Sequence, residues 1–372
     1  MRIVRWIRNF FYQLCLISIV ILILALSRSL VPTLSGIEDI FPSNISRHFN
    51  AAQFNKWRTR RANLTLERIS KPFNLTSEDN QVISVIIIAS GREGYFLTQI
   101  IATFIDILQI SKLYASITIC NVSLAENEEI DRLSRIIPVI KPIKSFTYDF
   151  NKYEQRLMKE ANDYWFCMNA THNSRYTLLI EDDALPVPAF DSLMRSVVDR
   201  MDNDQRLDFI KLYHPGDLRK IPYYFQVSIT CLLISLLLTF AVWRSIAWLP
   251  FLLTFAFFVY HFDVYYTYQF FADIRYALTD SIYVAMSESC CTPAIIYRTS
   301  KIPKMLHYFT IRSASMDHLA KDDILDEAPF ISRLTDTNLI IHIGYISAIR
   351  RRAVTLDVLK QLQYRSQHIF PF

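Results

Sequence analysis

The stretch that decides the fold is Val82-Ile-Ser-Val-Ile-Ile-Ile-Ala89, an almost unbroken run of β-branched and apolar residues. A run of this kind, without alternating polar residues, predicts a strand that is buried on both faces. It ends in the polar turn Ser90-Gly91-Arg92-Glu93-Gly94, and residues 96–108 then follow a helical pattern. The segment therefore predicts the strand–turn–helix opening of an α/β domain.

Strands and helices alternate along the chain on either side of this opening. Further strands are predicted at 116–120, 176–180, 209–213, 294–297 and 339–343, and helices near 126–136, 152–168 and 189–201. Such alternation favours a doubly wound, mainly parallel sheet. In such sheets the ligand crevice lies at the carboxyl ends of the strands.

Composition excludes several classes of function. The 372 residues allow one large domain or two ordinary ones, and the net charge of +5 is spread without the clustered basic face of a nucleic-acid-binding protein. Only 5 glycines occur, and neither GxGxxG nor GxxxxGK[ST] is present. The hydrophobic fraction of 52% and the positive mean hydropathy instead indicate membrane segments.

The first such segment is 9–27, which contains no charged residue and is long enough to cross a bilayer. Because Arg2, Arg5 and Arg8 precede it, residues 1–8 are expected to be a cytosolic tail. A cleaved signal peptide is the alternative. The long apolar core, with no clear small-x-small cleavage site, favours an uncleaved anchor.

A second hydrophobic region, 221–262, consists of runs 221–243 and 245–262 that predict a transmembrane hairpin. A buried pair of core helices is the alternative, but these runs are apolar on all sides. With one crossing before it, a hairpin leaves 28–220 and 263–372 on the same, luminal side. We expect 28–80 to be an irregular stem or a peripheral wrap, and 81–220 and 263–372 to build one catalytic domain.

Sequons and cysteines support a luminal location. Potential glycosylation sites are Asn44, Asn63, Asn74, Asn121 and Asn169. The cysteines outside the spans suggest two disulfides, Cys120–Cys167 and Cys290–Cys291, with free buried thiols as the alternative for each pair.

The main chemical signal is Glu181-Asp182-Asp183, which directly follows the apolar strand at 176–180. Three adjacent carboxylates repel one another unless a cation compensates them. Oxygen ligands at a strand end suit Mn²⁺ or Mg²⁺, which in turn neutralises a diphosphate. A solvated acidic turn is the alternative.

These motifs resemble those of GT-A glycosyltransferases. Residues 156–168 (RLMKEANDYWFCM) and 175–186 (RYTLLIEDDALP) are similar to N-acetylglucosaminyltransferase IV and, more closely, to the Golgi GPI-GalNAc transferase family, whose GT-A domain is interrupted by a transmembrane hairpin. Further similar segments are 119–122 (ICNV), 290–294 (CCTPA), 321–323 (KDD) and 342–347 (HIGYIS). The resemblance covers roughly residues 80–350.

The resemblance implies a multi-pass Golgi membrane protein with a luminal catalytic domain. Its reaction would be inverting transfer of GalNAc from UDP-GalNAc to the first mannose of a GPI glycan. Its partners would be the lipid bilayer, the nucleotide sugar and GPI-anchored acceptor proteins, and its cofactor Mn²⁺ or Mg²⁺.

The resemblance also implies roles for individual residues. Glu181, Asp182 and Asp183 should contact donor sugar, ribose and metal, with Asp183 as a metal ligand. The other expected donor-binding residues are Ala89, Ser90 and Arg92 at the nucleotide, Thr292 and Pro293 at the sugar, and Lys321 at the phosphates. His342 is expected to bind the metal or the diphosphate, with a structural histidine as the alternative. Asp322 and Asp317 are the candidates for the catalytic base, although carboxylates in a first helical turn are commonly dipole partners.

Two alternative functions differ in testable ways. An N-glycan branching enzyme would share the chemistry, but a soluble acceptor gives no reason for the hairpin. A small transporter would carry ionisable residues inside its spans, and these spans contain essentially none.

Overall fold

The computed structural model describes residues 51–69, 82–111, 113–142, 148–170, 174–187, 189–213, 282–287, 292–315 and 320–344. All of them belong to one compact unit, formed by Asn44–Leu218 and Asp280–Phe372. The predicted spans at 9–27, 221–243 and 245–262 lie outside the described residues. Within the described part of the chain, no helix has the length and apolarity needed to traverse a bilayer.

The helices and strands before the central hydrophobic region are α1 (Ala51–Glu67), β1 (Ile83–Ala89), α2 (Phe96–Ile110), β2 (Tyr114–Asn121), α3 (Glu128–Leu133), β3 (Val139–Ile140), α4 (Tyr153–Asn169), β4 (Tyr176–Glu181), β5 (Ala184–Pro186), α5 (Phe190–Asn203) and β6 (Phe209–Lys211). After it come β7 (Val284–Met286), β8 (Ala294–Arg298), a 3₁₀ turn (Thr299–Lys301), α6 (Ile302–Ser315), α7 (Lys321–Glu327), β9 (Ser332–Thr335) and β10 (Ile340–His342).

Eight of these strands form one mixed sheet, in the order β3-β2-β1-β4-β8-β6-β9-β7. Its first four strands are parallel, as the sequence predicts. The other half is mixed, because β8 is antiparallel to both β4 and β6, β6 is parallel to β9, and β7 is antiparallel to β9. The sheet is therefore parallel-rich, but the sequence did not predict its antiparallel strands. A short apolar run shows that a strand is buried, but it carries no information about its direction.

The central strand β1 is buried along its whole length, and its pairing sets the positions of the ends of β2 and β4. In register, Ile88 lies beside Glu181 of β4, and Ala89 lies beside Asn121 of β2. The carboxyl ends of these three parallel strands therefore meet at one edge of the sheet.

The sheet is shared by the two parts of the chain. β8 pairs with β4 from Tyr176↔Arg298 to Ile180↔Ala294, and with β6 at Ile210↔Ile296. Residues on either side of the central hydrophobic region thus form one domain, as the sequence analysis expects.

The expectation of an irregular stem over 28–80 is wrong at α1, a 17-residue helix that packs against α2. Two of its anchoring residues are polar and buried, Asn55 at 5% exposure and Arg58 at 1%. A helix held by polar groups lacks the apolar stripe by which sequence patterns reveal amphipathic helices.

Cys120 of β2 and Cys167 of α4 form a disulfide, with Cα atoms 5.7 Å apart. Cys290 and Cys291 lie outside the described residues, as do the sequons at Asn44 and Asn74. Asn169 is exposed and Asn63 is half-buried within α1. Asn121 is only 7% exposed and accepts a hydrogen bond from the Ser123 amide, so the fold argues against a glycan there.

Candidate active site

The three carboxylates of Glu181-Asp182-Asp183 lie where β1, β4 and β8 meet. The Glu181 amide donates to the carbonyl of Pro293 at 2.8 Å, and the Asp182 amide donates to the carbonyl of Ile88 at 3.1 Å. These bonds continue the sheet ladder through the motif. The buried strand therefore fixes the backbone from which the carboxylates project.

β10 closes over this acidic cluster from the other side. The Ile343 amide donates to the Asp183 carbonyl at 2.8 Å, and Nε2 of His342 lies 3.0 Å from Oδ2 of Asp183. A Cβ atom on Gly344 would lie 2.1 Å from that same oxygen, closer than any real contact. The backbone approach at Gly344 therefore requires a glycine.

Arg92 is the cation that contacts all three carboxylates. Its Nε lies 3.1 Å from Asp182 Oδ1, its Nη2 lies 3.8 Å from Glu181 Oε2, and its Nη1 contacts Asp183 Oδ2. Ser90 holds Asp182 from the same turn, its amide and hydroxyl donating to Oδ2 at 2.7 and 2.8 Å. In this state the guanidinium compensates much of the charge of the cluster.

Lys321 is a second cation at the site and is only 4% exposed. Its Nζ donates to Glu181 Oε1 at 2.8 Å, also contacts Glu160, and lies 5.5 Å from the centre of the Tyr164 ring. Glu160 was not singled out by the sequence. The sequence feature that could have identified it is its position in 156–168, a segment of α4 that resembles the family.

Burial and charge act in opposite directions on these groups. Burial alone would raise the pKa of Asp183, but Arg92 and His342 outweigh it, and the pKa lies well below its ordinary value. Burial likewise lowers the pKa of His342, but the Asp183 carboxylate reverses this and the net shift is upward. Asp183 is therefore ionised and available as a ligand at neutral pH.

The residues present fit a divalent cation. One ligand atom each from Glu181, Asp183 and His342 lies within 4.8 Å of the others. The buried Oδ1 of Asp183 has no hydrogen-bond partner among the residues that the structure describes. A set of two carboxylates and one imidazole suits Mn²⁺ and related divalent ions.

The other predicted residues lie at the same edge of the sheet. Thr292 Oγ1 donates to Asp322 Oδ1 at 2.5 Å, and Asp322 is half-buried in the first turn of α7. Ala89, Arg92 and Asp182 line a shallow depression beside β1. Asp317 lies outside the described residues. The structure thus brings together the described members of the predicted site, adds Glu160, and places Lys321 between two carboxylates.

Several solved glycosyltransferase structures resemble the chain at low identity. Glucosyl-3-phosphoglycerate synthase from Mycobacterium tuberculosis, in complex with Mn²⁺ and UDP, is 12% identical, with 77% of this chain and 80% of that chain covered and a TM-score of 0.31. Mannosyltransferase PcManGT from Pyrobaculum calidifontis is 10% identical, with 82% and 67% covered and a TM-score of 0.31. Mannosyltransferase Ktr4p from S. cerevisiae is 10% identical, with 90% and 97% covered and a TM-score of 0.30. TM-scores of this size establish neither a common fold nor a common function.

A family model gives the informative match. The family described as GPI-N-acetylgalactosamine transferase PGAP4 matches residues 82–336. The matched region runs from β1 to the loop after β9. It includes Arg92, the acidic cluster, Thr292 and Lys321, but neither α1 nor β10.

Proposed function

Because the chain belongs to the GPI-N-acetylgalactosamine transferase PGAP4 family, we propose that it moves GalNAc from UDP-GalNAc to the first mannose of a GPI glycan, with inversion. Membership of the family makes the chain a nucleotide-sugar-dependent glycosyltransferase. The observation that carries the proposal is the match over 82–336, which contains the cluster at Glu181, Asp182 and Asp183.

We assign a divalent cation, Mn²⁺ or Mg²⁺, to Glu181, Asp183 and His342. When bound, the metal would supply Lewis-acid neutralisation of the departing diphosphate. The unpartnered Oδ1 of Asp183 and the narrow spread of the three ligand atoms support this assignment.

The surrounding residues would hold the donor in place. Ser90 fixes the carboxylate of Asp182, which we assign to the ribose side of the site. Lys321 orients Glu181 towards the sugar and contributes positive charge near the diphosphate. Thr292 and Pro293 lie next to β8, against Asp322 and Glu181, where the sugar would be positioned.

We assign the catalytic base to Asp322. In a single displacement, the acceptor oxygen forms a bond to C1 of GalNAc while the bond from C1 to the phosphate oxygen breaks. The proton of the acceptor hydroxyl passes to the Asp322 carboxylate, which Thr292 holds by a 2.5 Å hydrogen bond. The hydrogen bond fixes the direction in which the carboxylate can accept that proton.

The reaction is proposed to take place in the Golgi lumen, with the hairpin at 221–262 holding the site near a lipid-linked acceptor. Two observations support this arrangement. The segment 221–262 contains two apolar runs, and β4, which precedes it, pairs in one sheet with β8, which follows it. Replacing 221–262 by a soluble linker should abolish transfer to a GPI substrate while UDP-GalNAc hydrolysis persists. Unchanged GPI modification by the linker variant would contradict the membrane role.

The donor and metal are tested together in one transfer assay. The purified full chain is incubated with UDP-GalNAc or UDP-GlcNAc, with a GPI glycan or an N-glycan as the acceptor, and with Mn²⁺, Mg²⁺ or chelator. GalNAc transfer should require the metal, and Asp183→Asn should reduce kcat/KM by at least about 100-fold, since it removes a charged metal ligand. The matched control is Asp199→Asn, at an exposed aspartate of α5.

Metal-independent transfer that Asp183→Asn leaves intact would refute the assigned site. Selective GlcNAc transfer to an N-glycan acceptor would instead support the branching-enzyme alternative.

A further inference from the structure

We infer that Arg92 is a displaceable counter-ion, which occupies the acidic cluster in the free enzyme and transfers to the diphosphate when cation and nucleotide bind. The inference rests on the proposed function, because it concerns the same metal and donor. Its consequence is that the divalent cation and the nucleotide bind as a coupled pair rather than independently.

The first step is the overlap between Arg92 and the ligand set. Nη1 of Arg92 contacts the same Asp183 oxygen that faces Nε2 of His342 at 3.0 Å, and Nη2 approaches Glu181. A divalent cation among these ligand atoms would lie within a few ångströms of the guanidinium. Repulsion at such a distance amounts to several kcal/mol even at an effective dielectric constant of ~20. Arg92 and the metal therefore cannot both keep these contacts.

The second step concerns which part of the turn moves. The backbone of the turn at 90–94 is held at both ends. At one end the Ser90 amide donates a hydrogen bond to Asp182, and at the other the Gly94 carbonyl accepts one from Asn55 Nδ2 at 2.5 Å. A Cβ on Gly91 would lie 2.3 Å from Ser123 Oγ, so the turn also packs closely against the chain after β2. The part free to rotate is the long Arg92 side chain, which retains 20% exposure.

The third step concerns the destination of the guanidinium. The leaving diphosphate must lie beside the cation that neutralises it, and thus within reach of Arg92. A guanidinium binds phosphate oxygens in a bidentate manner. Lys321, the phosphate-binding cation expected from the sequence, lies buried between Glu160 and Glu181 and is less available. The geometry therefore assigns the mobile phosphate contact to Arg92.

Coupling follows from this exchange of partners. When the cation binds alone, Arg92 must leave three carboxylates without a new anionic partner. When UDP binds with the cation, the diphosphate replaces those carboxylates. UDP must then raise the affinity for Mn²⁺, and Mn²⁺ must raise the affinity for UDP by the same factor.

The experiment measures Mn²⁺ binding to the purified full chain by electron paramagnetic resonance of free Mn²⁺, with and without UDP. Arg92→Gln should bind Mn²⁺ alone at least about tenfold more tightly than the wild type, because the competing charge is gone. In saturating Mn²⁺ the same variant should bind UDP about tenfold more weakly, because the charge-assisted contact is lost. A residue that only supports the fold would not shift the two affinities in opposite directions.

Two further variants complete the design. Arg92→Lys keeps the charge and should bind Mn²⁺ alone as weakly as the wild type. Arg195→Gln removes a positive charge from an exposed pair with Asp191 on α5 and should change neither affinity.

The inference is overturned if Arg92→Gln binds Mn²⁺ alone no more tightly than the wild type. It is also overturned if UDP fails to raise the Mn²⁺ affinity of the wild type, a measurement that needs no variant to fold. A wild type that binds no Mn²⁺, with or without UDP, would instead refute the proposed metal site itself. If UDP raises the Mn²⁺ affinity of the wild type but Arg92→Gln binds Mn²⁺ alone with wild-type affinity, only the role given to Arg92 is refuted.

Discussion

The side-chain amide of Asn55 donates to the carbonyl of Gly94 at 2.5 Å, which joins α1 to the turn that carries Arg92. Gln99 of α2 extends this link, its Nε2 donating to Asn55 Oδ1 at 2.7 Å and to Thr59 Oγ1 at 3.1 Å. α1 lies outside the matched region 82–336, yet its buried Asn55 holds the turn that carries Arg92. The compact unit that contains the candidate active site therefore begins before β1.

Replacing Asn55 should affect both the stability of the fold and the binding of the nucleotide sugar. Asn55→Ala removes the side-chain donor to the Gly94 carbonyl and one of the acceptors of Gln99 Nε2, which keeps Thr59 Oγ1 and the Tyr95 carbonyl. Loss of the buried hydrogen bond to Gly94 should cost about 1–3 kcal/mol in the free energy of unfolding. Because the Arg92 turn loses its fixed end, KM for the nucleotide sugar should rise by more than kcat falls. Urea unfolding and steady-state kinetics measure the two effects. Lys56→Ala, at the exposed neighbour, is the control, and equal behaviour of the two variants would contradict the prediction.

Gly344→Ala should disable the metal site. The new methyl group would collide with Oδ2 of Asp183, since a Cβ atom at this position would lie only 2.1 Å from that oxygen. Asp183 is wholly buried and its backbone is tied to Ile343, so it has little room to yield. Isothermal titration with Mn²⁺ and UDP should show at least about tenfold weaker binding, in line with displacement of a metal ligand. Wild-type affinity in this variant would show that Asp183 is not a ligand.

Asp322→Asn should lower kcat by about 100-fold or more while leaving donor affinity nearly unchanged, as expected for loss of a general base. The exposed neighbour Asp323 offers a matched control in the same helical turn, and Asp323→Asn should retain kcat. The measurement is steady-state transfer together with UDP binding. A fall in donor affinity equal to the fall in kcat would instead assign Asp322 to donor binding.

The raised pKa of Asp163 should make the free energy of unfolding depend on pH. Burial raises its pKa to about 6, despite the opposing Lys159 ammonium, whereas the unfolded chain has the ordinary value near 3.8. Between these values the folded state binds more protons than the unfolded state, so stability falls as pH rises through this window. Above pH 6 the full penalty applies, and a shift of this size corresponds to about 3 kcal/mol.

Asp163→Asn removes this penalty. The variant should be at least as stable as the wild type at pH 7.5, and its stability should vary less between pH 4 and 6. Urea unfolding across this range provides the measurement, with Asp131→Asn at an exposed position of α3 as the control. A variant that is less stable at pH 7.5 and keeps the wild-type slope would contradict the assignment.

The sequence predicts the parallel half of the sheet and the position of the acidic cluster, because both depend on local patterns. The runs at β1 and β4 are apolar enough to identify buried strands, and Glu181 ends β4 directly after its apolar run. The three-residue strands β5 and β7 are too short to produce a pattern. β9, with the sequence SRLT, mixes polar and apolar residues and was also missed.

Tertiary pairing explains the remaining differences. Glu160 comes to the site because α4 lies against α7, which carries Lys321. The position of Arg92 among three carboxylates depends on a turn held by Asn55, which is far away along the chain. Neither contact leaves a periodic signal in the sequence, so only the folded chain reveals them.

The position of β8 between β4 and β6 has a consequence for biosynthesis. Until Ala294–Arg298 emerges from the ribosome, β4 and β6 lack the strand that lies between them, and both present unpaired backbone edges. A product truncated after β6 but before β8 would keep those edges and be prone to aggregate. Premature termination in that interval should therefore yield a misfolded species retained by quality control, rather than a partially active enzyme.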